Sequence, residues 1–106
     1  MNGKFITIEG IEGSGKSTVA EELSKTLKNS GYEVVLTREP GGTRVSERIR
    51  ELLLDPEYKE LAPLSELFLY LSARAQLVFE VIRPSLKKGI IVVCDRFMDA
   101  SVAYQG

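Results

Sequence analysis

Residues 10–18 read GIEGSGKST, directly after the β-rich run FITIE and directly before a helical pattern. From Gly10 to Ser17 the stretch fits G-x-x-x-x-G-K-[ST], and the motif is meaningful only between a strand and a helix, where it lies here. With glycine near ~7% of residues, chance supplies on the order of 3 such matches in 10⁵ windows, so the motif narrows the fold before anything else is read. Glycines allow successive backbone N–H groups to turn inward as an anion nest, and the positive end of the following helix adds to it. Gly10, Ile11, Glu12, Gly13, Ser14, Gly15, Lys16, Ser17 and Thr18 are therefore expected to cradle the phosphates of a nucleotide. Lys16 is expected at the β- and γ-phosphates and Ser17 at a Mg²⁺ ion. The alternative is a glycine-rich turn with a solvated lysine. Glu12 stands out, because a carboxylate aimed into a phosphate nest would repel its ligand. It is expected to face away, toward a second substrate or toward water.

The rest of the chain continues the same alternation. Residues 33–38 (EVVLTR) and 90–95 (IIVVCD) join 4–9 as runs apolar enough for parallel strands buried on both faces. Val19, Ala20, Leu23 and Leu27 form one helical stripe that stops at Asn29-Ser30-Gly31, and Val45, Ile49, Leu52 and Leu53 form a second before Pro56. After Pro63, the spacing of Leu64, Phe68, Leu71, Ala75, Val78, Ile82 and Leu86 predicts a long, largely buried helix, kinked or broken at Pro84. Strand, helix, strand, helices, strand predicts an α/β fold with a parallel sheet and right-handed crossovers. Residues 96–106 begin a further helix with no strand after it. Three strands are few for this class, and the expectation is a single domain over residues 1–106 that forms the N-terminal part of something longer.

Composition removes several chemistries. The 106 residues contain no histidine and one cysteine, which excludes disulfides within the chain, Cys/His zinc sites and any imidazole base. Fourteen basic and fifteen acidic side chains give a net charge of −1, so neither nucleic acid nor an anionic membrane is an expected partner. There is no signal-peptide core and no apolar run of spanning length, so a cytoplasmic location is expected.

Ligands of open parallel sheets gather outside the carboxyl ends of the strands, and all three predicted ends carry charge. The second ends in Arg38-Glu39-Pro40-Gly41-Gly42-Thr43, which suits close approach of backbone to a ligand and also suits a plain turn. The third ends in Cys94-Asp95-Arg96-Phe97. Asp95 fits a carboxylate that holds Mg²⁺ with Ser17, and fits equally the N-cap of a following helix. Arg96 would bring a fork of donors to a transferring phosphate or its acceptor, while Cys94 reads as a small buried hydrophobe. Tyr70 and Arg74 are one helical turn apart, a spacing that suits a nucleobase and also suits two side chains packed on each other.

Together GIEGSGKST, REPGGT, the YLSAR segment at 70–74 and CDRFMDASVAYQG resemble the thymidylate kinase family in its bacterial form, over residues 5–106 and in the right order. REPGGT and DRF with S-x-AYQG are specific to that family, whereas the phosphate loop is shared by very many NTPases. The resemblance implies a P-loop NTPase fold of the nucleoside monophosphate kinase type, three-layered α/β/α. It also implies MgATP-dependent phosphorylation of dTMP to dTDP for dTTP synthesis, usually by a homodimer. Carried onto this chain, it puts Glu12 at the deoxyribose 3′-hydroxyl and Arg96 and Arg50 at the acceptor phosphate, with Arg38 and Glu39 in the loop beside it. It puts Tyr70 at the thymine-stacking position, where the family commonly has Phe, and Arg74 on the base. Ser101 and Gln105 would line the base pocket, and Glu39-Pro40 becomes a candidate cis peptide. Catalysis would fall to Lys16, Asp95 and Arg96. Gly13 stands where eukaryotic relatives carry an arginine, as in the bacterial branch, whose catalytic arginine lies in a later lid, beyond Gly106 here.

Two rivals remain at this level. Another P-loop nucleotide or deoxynucleoside kinase with a hydroxyl acceptor would want a general base, a role open to Glu39 or Asp95. A nucleotide-binding fragment without turnover would follow from a missing lid. A GTPase finds less support, since the N-K-x-D guanine signature does not occur.

Overall fold

A computed structural model describes residues 3–10 and 16–97, with positions 10, 16–18 and 97 as backbone only. Strands β1 (Phe5–Gly10), β2 (Val34–Glu39) and β3 (Ile91–Phe97) form a parallel sheet in the order β1-β3-β2. Helix α1 (Lys16–Asn29) links β1 to β2, and α2 (Arg44–Leu54), α3 (Pro63–Leu77), a π turn (Val78–Ile82) and α4 (Arg83–Lys87) link β2 to β3.

The last strand in sequence is thus the middle strand in space. Val92, Val93 and Cys94 are wholly buried and Ile91 nearly so. Successive side chains of a strand face opposite ways, and the packing follows that period. Ile91 and Val93 meet Ala20, Leu23 and Leu27 of α1. Val92 and Cys94 meet Leu77, Ile82 and Leu86 from α3, the π turn and α4. These two apolar clusters make the three layers, one helix layer on each face of the sheet. The Val/Ile/Cys run of β3 therefore matches the expected strand buried on both faces. β1 and β2 do not, because each is an outer strand of the described sheet, and Phe5 and Leu36 stand exposed.

Helix boundaries agree with the expected stops. α1 ends at Asn29, and Gly31 follows in the left-handed region at φ 97°. In α2 the Thr43 side chain caps the helix by accepting from the Ser46 N–H, and the helix stops before Pro56. The faces are less obedient. Val19 and Val45 point outward. On α3 the buried side carries Tyr70, Ala73 and Leu77, whereas Leu64, Phe68 and Leu71 of the expected buried stripe are exposed, Phe68 at 59%. This helix is apolar around most of its circumference, and periodicity cannot say which of two apolar stripes faces the sheet. In place of the kink or break expected at Pro84, the hydrogen-bond pattern changes in a π turn ending at Ile82, with α4 resuming at Arg83. Proline carries no N–H, so the ladder shifts by one residue there and the helical run continues.

Candidate active site

Strand register builds the site. Across the carboxyl end of the sheet, Glu9, Arg96 and Glu39 occupy one row, and Ile8, Asp95 and Arg38 occupy the row below. Alternation then sends the two rows to opposite faces. Arg96 and Glu39 face α3, and Asp95 and Arg38 face the α1 side.

On the α3 side, Glu39 is the centre. It is 1% exposed, yet it is a carboxylate, so its charge must be matched in place. Arg74 Nε donates to its Oε1 at 2.6 Å. Arg96 donates to its Oε2 through Nε at 3.1 Å and through NH2 at 2.9 Å, and the Cys94 thiol adds a contact at 3.6 Å. Burial presses the Glu39 pKa upward, but the hydrogen bonds from Arg74 and Arg96 outweigh it and hold the carboxyl below its ordinary value. Burial and then the Glu39 charge push the Cys94 thiol up to about 12. Arg96 also reaches Glu9, with NH1 3.3 Å from Oε2.

Glu39 accordingly has a structural task besides its expected ones. Both of its oxygens accept from guanidinium groups, and the carboxylate is held ionised between them. It holds arginines. Tyr70, 4% exposed, is packed under Arg74, whose guanidinium lies 5.1 Å from the ring centroid while its NH2 donates to the phenolic oxygen at 3.2 Å. The pair thus packs on itself, the second of the two readings open to it, and the Arg74 side chain stays partly exposed.

The loop 38–43 joins the two faces. Its Glu39–Pro40 bond is cis, as anticipated, and Gly41 and Gly42 have φ of 136° and 93°. Only glycine fits these two positions. The backbone is left-handed, and a Cβ at Gly41 would collide with Glu47 Oε2, one at Gly42 with Thr37 Oγ1. Helix α2 holds the loop from below. Arg50 NH1 donates to the Pro40 carbonyl at 3.0 Å, and the Ser46 hydroxyl, buried, donates to the Ala73 carbonyl of α3 at 2.8 Å. Glu47 accepts from Arg38 twice, at 2.6 and 3.1 Å, and from the Gly42 N–H at 2.7 Å. The bonds from Arg38, ahead of the opposing effect of burial, hold its pKa below the ordinary value.

On the other face, a cleft of about 390 Å³ opens between α1 and β2, lined by Ala20, Glu21, Arg38, Gly42, Glu47 and Asp95. It thus adjoins the helix whose first turn contains Lys16 and Ser17. Of the residues expected from the sequence, the structure brings Arg38, Glu39, Arg74, Asp95 and Arg96 to one end of the sheet, with Arg50 and Tyr70 behind them. Ile11, Glu12, Gly13, Ser14, Gly15, Ser101 and Gln105 lie outside the described residues, as do the side chains of Lys16, Ser17 and Thr18. Glu47 and Ser46 were not singled out by the sequence. Their only local signal was the spacing Thr-x-x-Ser-Glu at a helix start.

Residues 8–106 match the family model of thymidylate kinase. The chain belongs to the thymidylate kinase family. It is 58% identical over all 106 residues to thymidylate kinase from Exiguobacterium sp. (strain ATCC BAA-1283 / AT1b), and 59% identical to that of Ectopseudomonas mendocina (strain ymp). It spans about half the length of these relatives, 50% of each. Among solved structures, thymidylate kinase from Ehrlichia chaffeensis matches with a TM-score of 0.85 and 44% identity, over the whole of this chain and 60% of that one. The thymidylate kinase fold, a P-loop nucleoside monophosphate kinase, is therefore the fold of this chain.

Proposed function

We propose that the protein transfers the γ-phosphoryl group of MgATP to dTMP, giving dTDP. One observation carries this reading beyond family membership: a buried carboxylate, Glu39, aims two arginines from different elements at the carboxyl ends of the strands, where a small anionic acceptor would bind. In phosphoryl transfer the protein chiefly positions and neutralises. A monophosphate with a second pKa near ~6 is already ionised at neutral pH, so the acceptor needs no base. That suits a chain with no histidine and with Glu39 paired to two arginines.

The roles assigned are these. The loop 10–18, with Lys16, grips the donor phosphates. Arg96, Arg50 and Arg38 neutralise the acceptor phosphate, and Arg74 bonds the base. Because Tyr70 is packed under Arg74, thymine reaches the ring only as the guanidinium moves from its face to the base edge. Glu12, Ser101 and Gln105 are assigned to the sugar and the base pocket. Asp95 is a hard oxygen donor in the cleft beside α1, a fit for Mg²⁺, which takes one or two carboxylates besides phosphate oxygens. With Ser17 it would hold that ion, whose chemistry is to neutralise charge on the donor phosphates.

Self-association into a homodimer is part of the reading, supported by the exposed apolar stripe of α3. A cytoplasmic setting is supported by the single free cysteine. Among the described residues no helix is long and apolar enough to cross a membrane, and the −1 charge supports small-molecule partners over nucleic acid.

The test is a panel of acceptors with the native protein and MgATP: dTMP, dUMP, AMP and thymidine. dTMP is expected to turn over fastest, and faster turnover of thymidine or AMP overturns the assignment. For the donor, Lys16→Ala is expected to weaken ATP binding, and unchanged affinity in calorimetry refutes the loop's role.

A further inference from the structure

Glu47 has no part in the roles assigned above, yet it is the group on which the loop after β2 converges. Its carboxylate takes the Nε and NH2 edge of Arg38 in a two-point pair and at the same time accepts from the Gly42 N–H. The Gly41–Gly42 turn leaves space for that carboxylate where a side chain would collide with it. Glu47 itself is fixed by its place in the first turns of α2, where its N–H donates to the Thr43 carbonyl at 2.8 Å. Arg38, Gly42 and Glu47 all border the cleft that also contains Asp95. A guanidinium at a half-exposed strand end would sample many rotamers, and a two-point carboxylate selects one of them.

We propose that Glu47 is a positioning residue, which fixes the Arg38 guanidinium at the edge of the cleft for the phosphate group of the acceptor nucleotide. This rests on the phosphoryl-transfer reading, since the acceptor phosphate is what Arg38 is held for. A merely structural Glu47 would tie the turn down through Gly42 alone. The Glu47→Gln variant separates the two roles. Its amide oxygen still accepts from the Gly42 N–H, while the charge that pairs with Arg38 is gone.

The experiment is steady-state kinetics of the native protein and of Glu47→Gln, Arg38→Ala and the double variant. Glu47→Gln is expected to raise KM for dTMP about tenfold, the effect of one charged hydrogen bond, with KM for ATP unchanged. The double variant is expected to be no worse than Arg38→Ala, because residues acting through one another are not additive. An unchanged KM for dTMP, an equal rise in both KM values, or additive losses in the double variant overturns the proposal. Where Glu47→Gln does not fold, Glu47→Asp, which keeps the charge but shortens the reach, takes its place in the same cycle. If the unaltered protein does not phosphorylate dTMP, the parent reading falls on that result alone. The cycle is then run by calorimetry on the monophosphate that the protein does bind, and additivity still decides the role of Glu47.

Discussion

Taking the charge from Glu39 would leave Arg74 and Arg96 side by side with a neutral amide between them. Breaking a buried pair by removing one partner is strongly destabilising, and the effect is moderated here because the Arg74 side chain remains 35% exposed. Glu39→Gln is therefore expected to cost about 2–3 kcal/mol at pH 7, read from urea unfolding. The pH dependence has a definite sign. The folded-state pKa of Glu39 lies below the ordinary 4.5, so its contribution is fully present above that value and is lost as the pH falls through the folded pKa. The difference between the native protein and Glu39→Gln should shrink toward zero in strong acid, and a difference independent of pH would count against the ionic account. At this scale the sequence was a partial guide. The REPGGT segment marked Glu39 as part of the site, but its partners lie 35 and 57 residues away, and no local pattern announces them. The Arg38–Glu47 pair, nine residues apart across a turn, escaped for the same reason.

Among the elements, α3 is the one whose surface asks for a partner. Leu64, Phe68 and Leu71 are exposed on it, and Phe79 on the π turn is 70% exposed. An apolar patch of this kind on a monomer marks an interaction surface. Phe68→Glu is expected to give a well-folded monomer, because a side chain that already faces outward contributes little to the core, and sedimentation equilibrium against the native protein checks it. A dimer of undiminished stability in the variant would place the contact elsewhere. The elements themselves were legible from apolar spacing and from Gly and Pro stops, with strand starts displaced by a single residue, except that β3 runs on through Arg96 and Phe97, where a helix capped by Asp95 was one expectation. Which side of α3 is buried was not legible. Hydropathy ranks Phe68 above Ala73, whereas Ala73 is the buried one, at a place where α2 lies against α3 and the Ser46 hydroxyl bonds to its carbonyl.

For the whole molecule, the order β1-β3-β2 has the effect that the strand carrying Asp95 and Arg96 lies between the strand leading into the phosphate loop and the strand leading into REPGGT. Asp95 and Arg96, neighbours in sequence, thereby face opposite sides of the sheet, Asp95 toward the α1 cleft that also contains Arg38 and Arg96 toward Glu39 and α3. The alternation of charge at three strand ends was visible in the sequence. The strand order was not, since it depends on which crossover spans which distance, and that is settled only by packing.

The single thiol of the chain lies in that middle strand, wholly buried and with its ionisation pushed up to about 12. Only a thiolate attacks a maleimide or iodoacetamide, so Cys94 should resist both reagents until the sheet comes apart. Labelling would then act as a stopwatch for opening of the molecule's centre. The modification rate should climb in step with denaturant and slow when dTMP or ATP is added, because a ligand that binds only the folded form holds it closed.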